Sequence, residues 1–537
     1  IRRTYYVYPG SVVRNQQMIK QDTEWWRGGT IYQIYPRSFC DSGDRGWGDL
    51  KGVRKKLPYL ASLGVDAIWI SPFFKSPMKD FGYDVEDHRA VDPMFGTEQD
   101  FDSLIADATA LGIKVMVDLV LSHVSDTHPW FKDACRSRDS EYSDYFVWAD
   151  PNPDGSPPNN WLSIFGGIAW AWDSTRRQYY LHNFLESQPD LNYHNPKVRA
   201  EALAIARHWL ERGVTGFRLD TVNFYFHDEA LRSNPAEANR EQALDHESNP
   251  YGYQDHVYDK NRPENYGFLA ELGGLMQTYP GSVTLGEVGA VPRRCWQLID
   301  EYTQPGRLNL CYTFELLSEG FTADYIRSVI ERSIREAPDA WPCWAFSNHD
   351  VARSATRLEA DGASPDQVAR LSMAILLSLR GTPCIYQGEE LGLDEAEVPY
   401  ELLQDPYGIQ FWPDYKGRDG CRTPMPWKHA EANCGFSAAE TPWLPIPTTH
   451  QQRAVDLQEN DPSSTLNVFR RLMATRNDTP CLRLGEFTLI DAPRNVLAYE
   501  RSLDGTKVHC YFNLSPLSVQ IGQLGIEKRQ SFDRSAA

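Results

Sequence analysis

The stretch Phe101–His123 reads FDSLIADATALGIKVMVDLVLSH, and its two halves follow different periods. Phe101, Leu104, Ile105, Ala108 and Leu111 recur at i, i+3, i+4, i+7 and i+10, the apolar stripe of an amphipathic helix. Gly112 then supplies the residue that ends such a helix in a left-handed turn. Lys114–Leu121 runs on with almost no polar interruption, which suits a strand buried on both faces. A helix delivering a doubly buried strand is half of a βα unit, so the fold turns on how often that unit repeats.

Seven further runs have the same character: Ile31–Ser38, Asp66–Ser71, Gly216–Asp220, Ser282–Glu287, Asn309–Phe314, Cys343–Asn348 and Pro383–Gln387. Leu203, Ala206, Trp209 and Leu210 repeat the helical stripe ahead of Gly213. Alternating strands and helices imply a parallel sheet, and eight units imply an α/β fold closed as a (β/α)8 TIM barrel. The helices between the later strands are less distinct, and there the count of eight leans on the resemblance described below.

Two connections are too long to be simple loops. Residues 124–192 are rich in Pro, Gly, Trp and Asn and are expected to form a subdomain inserted after the third strand. A second excursion, Glu389–Trp427, follows the eighth strand. Phe487–Ile490, Val496–Tyr499 and Val508–Phe512 alternate or cluster like antiparallel strands. The expected organisation is barrel (1–123), inserted subdomain (124–192), barrel again (193–481) and a C-terminal antiparallel β domain (482–537).

Composition narrows the function classes. Of 537 residues, 54 are Lys or Arg and 73 Asp or Glu, a net charge of -19 that would repel nucleic acid and anionic membrane. Aromatic residues make up 12%, and flat ring faces suit sugars. The ten cysteines show neither CxxC pairs nor metal-ligand spacing, and Cys343 and Cys384 sit inside apolar runs. Reduced thiols are expected, and with them a cytoplasmic location. No run is long enough for a transmembrane helix. Residues 1–22 lack the apolar segment of a signal peptide, and Met18 is a candidate start behind a short leader.

Three strand ends finish in carboxylates: Asp220 in GFRLDTVNF, Glu287 in VTLGEVG and Asp350 in FSNHD. Singly, each reads as a solvated or salt-bridged acid. Together, at the C-terminal rim where barrel enzymes keep their chemistry, they converge on one pocket. Glycosidic cleavage needs two carboxyl groups, one to attack or activate water and one to protonate the leaving oxygen. Arg218 lies two residues before Asp220, so alternation points both the same way, and its charge would keep Asp220 ionised. With Arg218 beside only one acid, the two pKa values would be driven apart.

These motifs resemble the α-amylase family of glycoside hydrolases, and within it the α-glucosidase and oligo-1,6-glucosidase branch. The resemblance runs from about Trp25 into the C-terminal domain. It rests on DLVLSH (118–123), GFRLDTVNF (216–224), GEV (286–288), SNHD (347–350), QPDLN (188–192), GYDVED (82–87) and GRDGCRTPMPW (417–427). It implies that Asp220 is the nucleophile, Glu287 the general acid/base and Asp350 a third acid that stabilises the transition state. It also implies that Arg218, His123 and His349 contact the glucose ring or the nucleophile, and that Asp84 and Arg418 close the blind end of the pocket. Tyr83 would stack beneath the sugar, and Phe165 and Gln188 would line the pocket. For Tyr83 and Phe165, plain core packing is the competing reading. Thr221, next to the nucleophile, goes with α-1,4 cleavage in that branch, where Val goes with α-1,6.

One loop departs from the family pattern. Many relatives bind a divalent ion in the first βα loop, but here it reads Asp41-Ser42-Gly43-Asp44-Arg45-Gly46-Trp47-Gly48-Asp49. A hard cation needs about six oxygen ligands, and a guanidinium offers none. The expectation is no metal and no cofactor, with Asp41, Asp44 and Asp49 holding Arg45 instead. Ser122 stands where the family usually has Asn.

The resulting expectation is a retaining, exo-acting α-glucosidase that hydrolyses short α-glucosides, α-1,4 preferred, or transfers glucose to hydroxyl acceptors. A dedicated glucosyltransferase or isomerase of sucrose or trehalose type is the alternative among enzymes. A non-catalytic, transporter-associated relative is the alternative outside them, and the three retained acids argue against it.

Overall fold

The computed structural model describes residues 23–239, 247–358 and 363–519. The readings made for residues 1–22 and for 520–537 lie outside these. Eight parallel strands form the central sheet: β1 (Ile31–Ile34), β2 (Ala67–Ile70), β3 (Lys114–Leu119), β4 (Gly216–Leu219), β5 (Val283–Val288), β6 (Leu310–Thr313), β7 (Cys343–Trp344) and β8 (Thr382–Tyr386). Their order is β6-β5-β4-β3-β2-β1-β8-β7, and a parallel bridge between Cys311 and Pro342 brings the two ends together. The chain is thus a TIM barrel.

Seven of the eight runs extend past the observed strands at their C-terminal ends, and β5 instead gains Val288. β1 stops at Ile34 because Pro36, which has no N–H, opens a one-turn helix over Pro36–Phe39. β7 keeps only two residues. Beyond it the carbonyl of Phe346 accepts from Arg357, and Asn348 Oδ1 accepts the N–H groups of Asp350 and Val351, so side chains replace the ladder.

The helix predicted from the opening stretch spans Glu98–Ala110, started by a capping box between Thr97 and Asp100. Phe101, Leu104 and Ala108 are buried, but Leu111 is the cap residue and 45% exposed. The helix Pro196–Glu211 buries Ala206, Trp209 and Leu210 in the same way. Gly216 at the start of β4 is there for space: a Cβ would lie 2.5 Å from Val283 Cγ1 and 3.1 Å from Met116 Cγ on the flanking strands.

Residues 124–192 carry the helix Pro129–Ala134 and a three-stranded antiparallel sheet (Trp148–Ala149, Trp170–Asp173, Gln178–Leu181). Strands Glu486–Leu489, Val496–Leu503 and Thr506–Asn513 form a C-terminal antiparallel sheet. Its second hairpin turns at Asp504-Gly505, both with positive φ, the pairing that a tight hairpin requires. No helix of the described residues is long and apolar enough to cross a membrane, and all ten cysteines are free thiols.

Candidate active site

Strand alternation builds the site in layers. Ile31, Ala67, Met116, Val283, Leu310, Cys343 and Cys384 fill the lower barrel interior above Trp25, Trp26 and Trp341. Two residues further along their strands, and so facing the same way, stand Gln33, Trp69, Asp118 and Tyr312, with Arg218 level with them and Glu287 four residues past Val283. The polar layer therefore rests on a dry floor.

Arg218 is fully buried at its centre. One terminal nitrogen lies 2.9 Å from Asp118 Oδ1 and 2.6 Å from Asp220 Oδ1, and the other 2.5 Å from Glu287 Oε1 and 3.0 Å from the Tyr312 hydroxyl. The two-residue spacing in sequence predicts this guanidinium beside Asp220 alone. It instead spans both carboxylates, because β4 and β5 are neighbours and both present inward positions at this level. Burial pushes the Asp220 and Glu287 carboxyls up to about 7, with Arg218 pulling each back. Burial likewise lifts Asp118 to about 6. Burial thus raises two neighbouring carboxyls on one guanidinium toward neutrality, a range in which one can be protonated while the other is ionised.

Thr221 is held in the left-handed region with φ of 41°, an uncommon conformation for a β-branched residue. It aims its N–H at Glu287 Oε2 (3.0 Å), while its hydroxyl lies 3.2 Å from Asp220 Oδ2 and 3.0 Å from Ser122 Oγ. Tyr312 donates to Glu287 Oε1 at 2.8 Å.

Asp350 accepts from Arg422 (2.9 Å) and Arg418 (3.2 Å), and His349 Nε2 is 3.2 Å away. Burial works against its ionisation, but His349, Arg418 and Arg422 outweigh it and hold the carboxyl well below the usual range. The Tyr83 hydroxyl lies 2.5 Å from His349 Nε2 and 3.1 Å from Asp118, and its ring stacks on that imidazole. His123 Nε2 lies 3.0 Å from the Tyr83 carbonyl and 3.2 Å from the Gln188 amide nitrogen. Phe165 packs with Phe184, Phe224 and Tyr407 and carries the Arg418 guanidinium 5.2 Å above its ring, so the packed ring also supports that arginine.

The pairing of Asp84 with Arg418 is corrected. Arg418 contacts Asp80 (3.0 Å) and is gripped bidentately by Asp405 (2.7 and 3.1 Å). Asp84 is fully buried four residues on and accepts from Ser76 Oγ and from the N–H groups of Lys79 and Asp80. It therefore shapes the loop that presents Asp80. Asp80, Asp118, Tyr312, Asp405 and Arg422 were missed as site residues. Asp118 and Tyr312 were findable by carrying the period-two count along β3 and β6.

In the first loop, Asp49 Oδ2 takes the Arg45 guanidinium at 2.6 Å while its Oδ1 caps the following helix at Gly52 N. Asp41 accepts the N–H groups of Gly43, Arg45 and Gly46 and the Ser437 hydroxyl. Asp44 does not join in holding Arg45, since its left-handed backbone turns the carboxylate to Ala438 N.

Residues 33–485 match the family described as Alpha amylase, catalytic domain. A probable alpha-glucosidase of Rhizobium meliloti (strain 1021) is 56% identical over 503 residues, 93% of this chain and 91% of that protein. An oligo-1,6-glucosidase of Heyndrickxia coagulans is 35% identical over 544 residues, 93% of this chain and 94% of that one. The crystal structure of the alpha-glucosyl transfer enzyme XgtA superposes with a TM-score of 0.88 at 52% identity, covering 91% of both chains. With the barrel, the rim carboxylates and these relatives in hand, the chain belongs to the α-amylase family of glycoside hydrolases, in its α-glucosidase branch.

Proposed function

We propose that this enzyme is a retaining, exo-acting α-glucosidase with α-1,4 preference that also passes glucose to hydroxyl acceptors. The observation that carries the reading is Arg218 holding Asp220 and Glu287 on the two arms of one guanidinium. Such bridging favours the short carboxyl separation of retention, roughly 5–5.5 Å, over the roughly 6.5–9.5 Å of inversion. Glu287 gives its proton to the glycosidic oxygen as the Asp220 carboxylate attacks C1. The C1–O bond breaks with its electron pair on the departing hydroxyl, leaving a β-glucosyl ester on Asp220. Water or an acceptor hydroxyl then loses its proton to Glu287 and displaces Asp220 from C1 with net retention.

Asp350, ionised throughout, faces the positive charge that develops on the ring. Asp80, Arg418 and Asp405 close one end of the pocket, which supports cleavage at the non-reducing terminus of short substrates. The free buried thiols support a reducing compartment. A dedicated transferase is the second reading, favoured by the 52% identity to a structure titled as an alpha-glucosyl transfer enzyme.

Products from maltose, isomaltose and sucrose, followed by NMR from the first seconds, test both readings. α-Glucose as the first anomer with maltose preferred supports the proposal. β-Glucose first, or isomaltose preferred, overturns it, and oligosaccharide products with little free glucose select the transferase.

A further inference from the structure

We propose that Ser122 and Thr221 form the middle of a reversible hydrogen-bond relay that couples the tautomer of His123 to the charge of Asp220. The proposal rests on the reading of Asp220 as nucleophile. The atoms stand in an unbroken row. The Gln188 amide nitrogen is 3.2 Å from His123 Nε2, His123 Nδ1 is 3.0 Å from Ser122 Oγ, Ser122 Oγ is 3.0 Å from Thr221 Oγ1, and Thr221 Oγ1 is 3.2 Å from Asp220 Oδ2. Gln188 is fixed in sense: its carbonyl accepts Leu185 N–H, so its NH2 faces Asp80 Oδ2 and His123. Every member is buried except Thr221, which is half-buried. Burial also pulls the His123 imidazole down to about 4, so the ring is neutral and carries one proton to place.

With Asp220 a carboxylate, Thr221 must donate to it. Thr221 can then only accept from Ser122, Ser122 from His123 Nδ1–H, and His123 Nε2 from Gln188. All four bonds run toward the nucleophile and stabilise its charge. When Asp220 gains a proton, Thr221 is left to donate to Ser122, and Ser122 to His123 Nδ1. The imidazole proton then sits on Nε2, and a partner waits there: the Tyr83 carbonyl oxygen at 3.0 Å, which only a protonated Nε2 can satisfy. A donor at one end and an acceptor at the same nitrogen give each direction its own terminus. Ser122 and Thr221 are positioning residues in this scheme, acting on substrate only through their neighbours.

Asp220 is also faced by Asp118 from β3, Arg218 from the end of β4, Glu287 from β5, Asp350 beyond β7, and the Tyr83 and Tyr225 phenols, while His88 faces His123. Replacing Ser122 alters none of these charges.

The test is 15N NMR of histidine-labelled enzyme at pH about 9, with the His123 signals assigned by their loss in His123→Asn. Wild type is expected to show the Nδ1–H tautomer. Asp220→Asn is expected to show Nε2–H, because Arg218 retains the amide oxygen and turns the new NH2 group toward Thr221. In Ser122→Ala the tautomer should be Nε2–H, and the acid limb of kcat/KM should rise by about half a pH unit for loss of one donor. Ser122→Thr should restore both. The same tautomer in wild type and Asp220→Asn, or an unmoved acid limb in Ser122→Ala, overturns the relay. Turnover by Asp220→Asn is measured separately, so the nucleophile reading can fail without the tautomer result, and the reverse.

Discussion

The backbone N–H of Thr221 donates to Glu287 Oε2 across 3.0 Å, so the residue after Asp220 directly orders Glu287. The contact depends on the left-handed backbone of Thr221, which costs of order 1–3 kcal/mol and persists because both neighbours hold it. Thr221→Val keeps this N–H and loses the hydroxyl that reaches Asp220 and Ser122. A contact of about 1 kcal/mol sets the scale of its effect. The ratio of kcat/KM for maltose over isomaltose should fall by roughly tenfold, with the melting temperature little changed. An unchanged ratio would remove Thr221 from the account of linkage preference.

Asp80 and Asp84 separate by substitution. Asp80→Asn removes the charge 3.0 Å from Arg418, so KM for maltose should rise at least about tenfold while the fold holds. Asp84→Asn disturbs a carboxylate that accepts three loop hydrogen bonds, so its effect should appear mainly as a lower melting temperature. Parallel Michaelis and thermal-denaturation measurements decide between them, and the opposite assignment would restore the Asp84–Arg418 pairing.

The first loop gives a metal prediction. Arg45 occupies Asp49, and backbone N–H groups occupy Asp41, so EDTA should leave activity and melting temperature unchanged. Arg45→Ala should lower the melting temperature in metal-free buffer. A marked loss in EDTA that Ca²⁺ or Mg²⁺ reverses would contradict this.

The pH profile follows from the two raised carboxyls. Burial lifts both Asp220 and Glu287 to about 7. Below the lower apparent pKa both are protonated and the nucleophile is lost. Above the upper one both are ionised and the acid is lost. The kcat/KM profile of the free enzyme should therefore be a bell about neutrality whose two limbs belong to the pair. Tyr312→Phe removes a donor to Glu287 Oε1 and should raise the alkaline limb. A profile flat from pH 5 to 9 would reject the pair as the titrating unit.

The barrel was legible in its repeated strand–helix units, with the count of eight resting in part on the family resemblance, and the acids because a charge inside an apolar run stands out, as Asp220 and Glu287 do. Tyr312 did not stand out: in a buried strand it reads as one more apolar residue, and its hydroxyl matters only because β6 lies beside β5. The mistaken choice of Asp84 over Asp80 has a similar cause. Both lie in one loop, and which faces Arg418 depends on the turn that Asp84 itself holds together. Asp405 comes from the long excursion after β8, where no period exists to orient a side chain. The paired reach of Arg218 was hidden because alternation gives direction along one strand and not distance to the next.

Formation of the glycosyl ester on Asp220 is tested most directly by the turnover of a chromogenic α-glucoside by Asp220→Asn. The amide keeps the Arg218 contact and the fold but cannot make the ester. The predicted result is kcat reduced by about 10⁴-fold or more in a sample that melts close to wild type. Turnover within about tenfold of wild type by that folded variant would contradict the account.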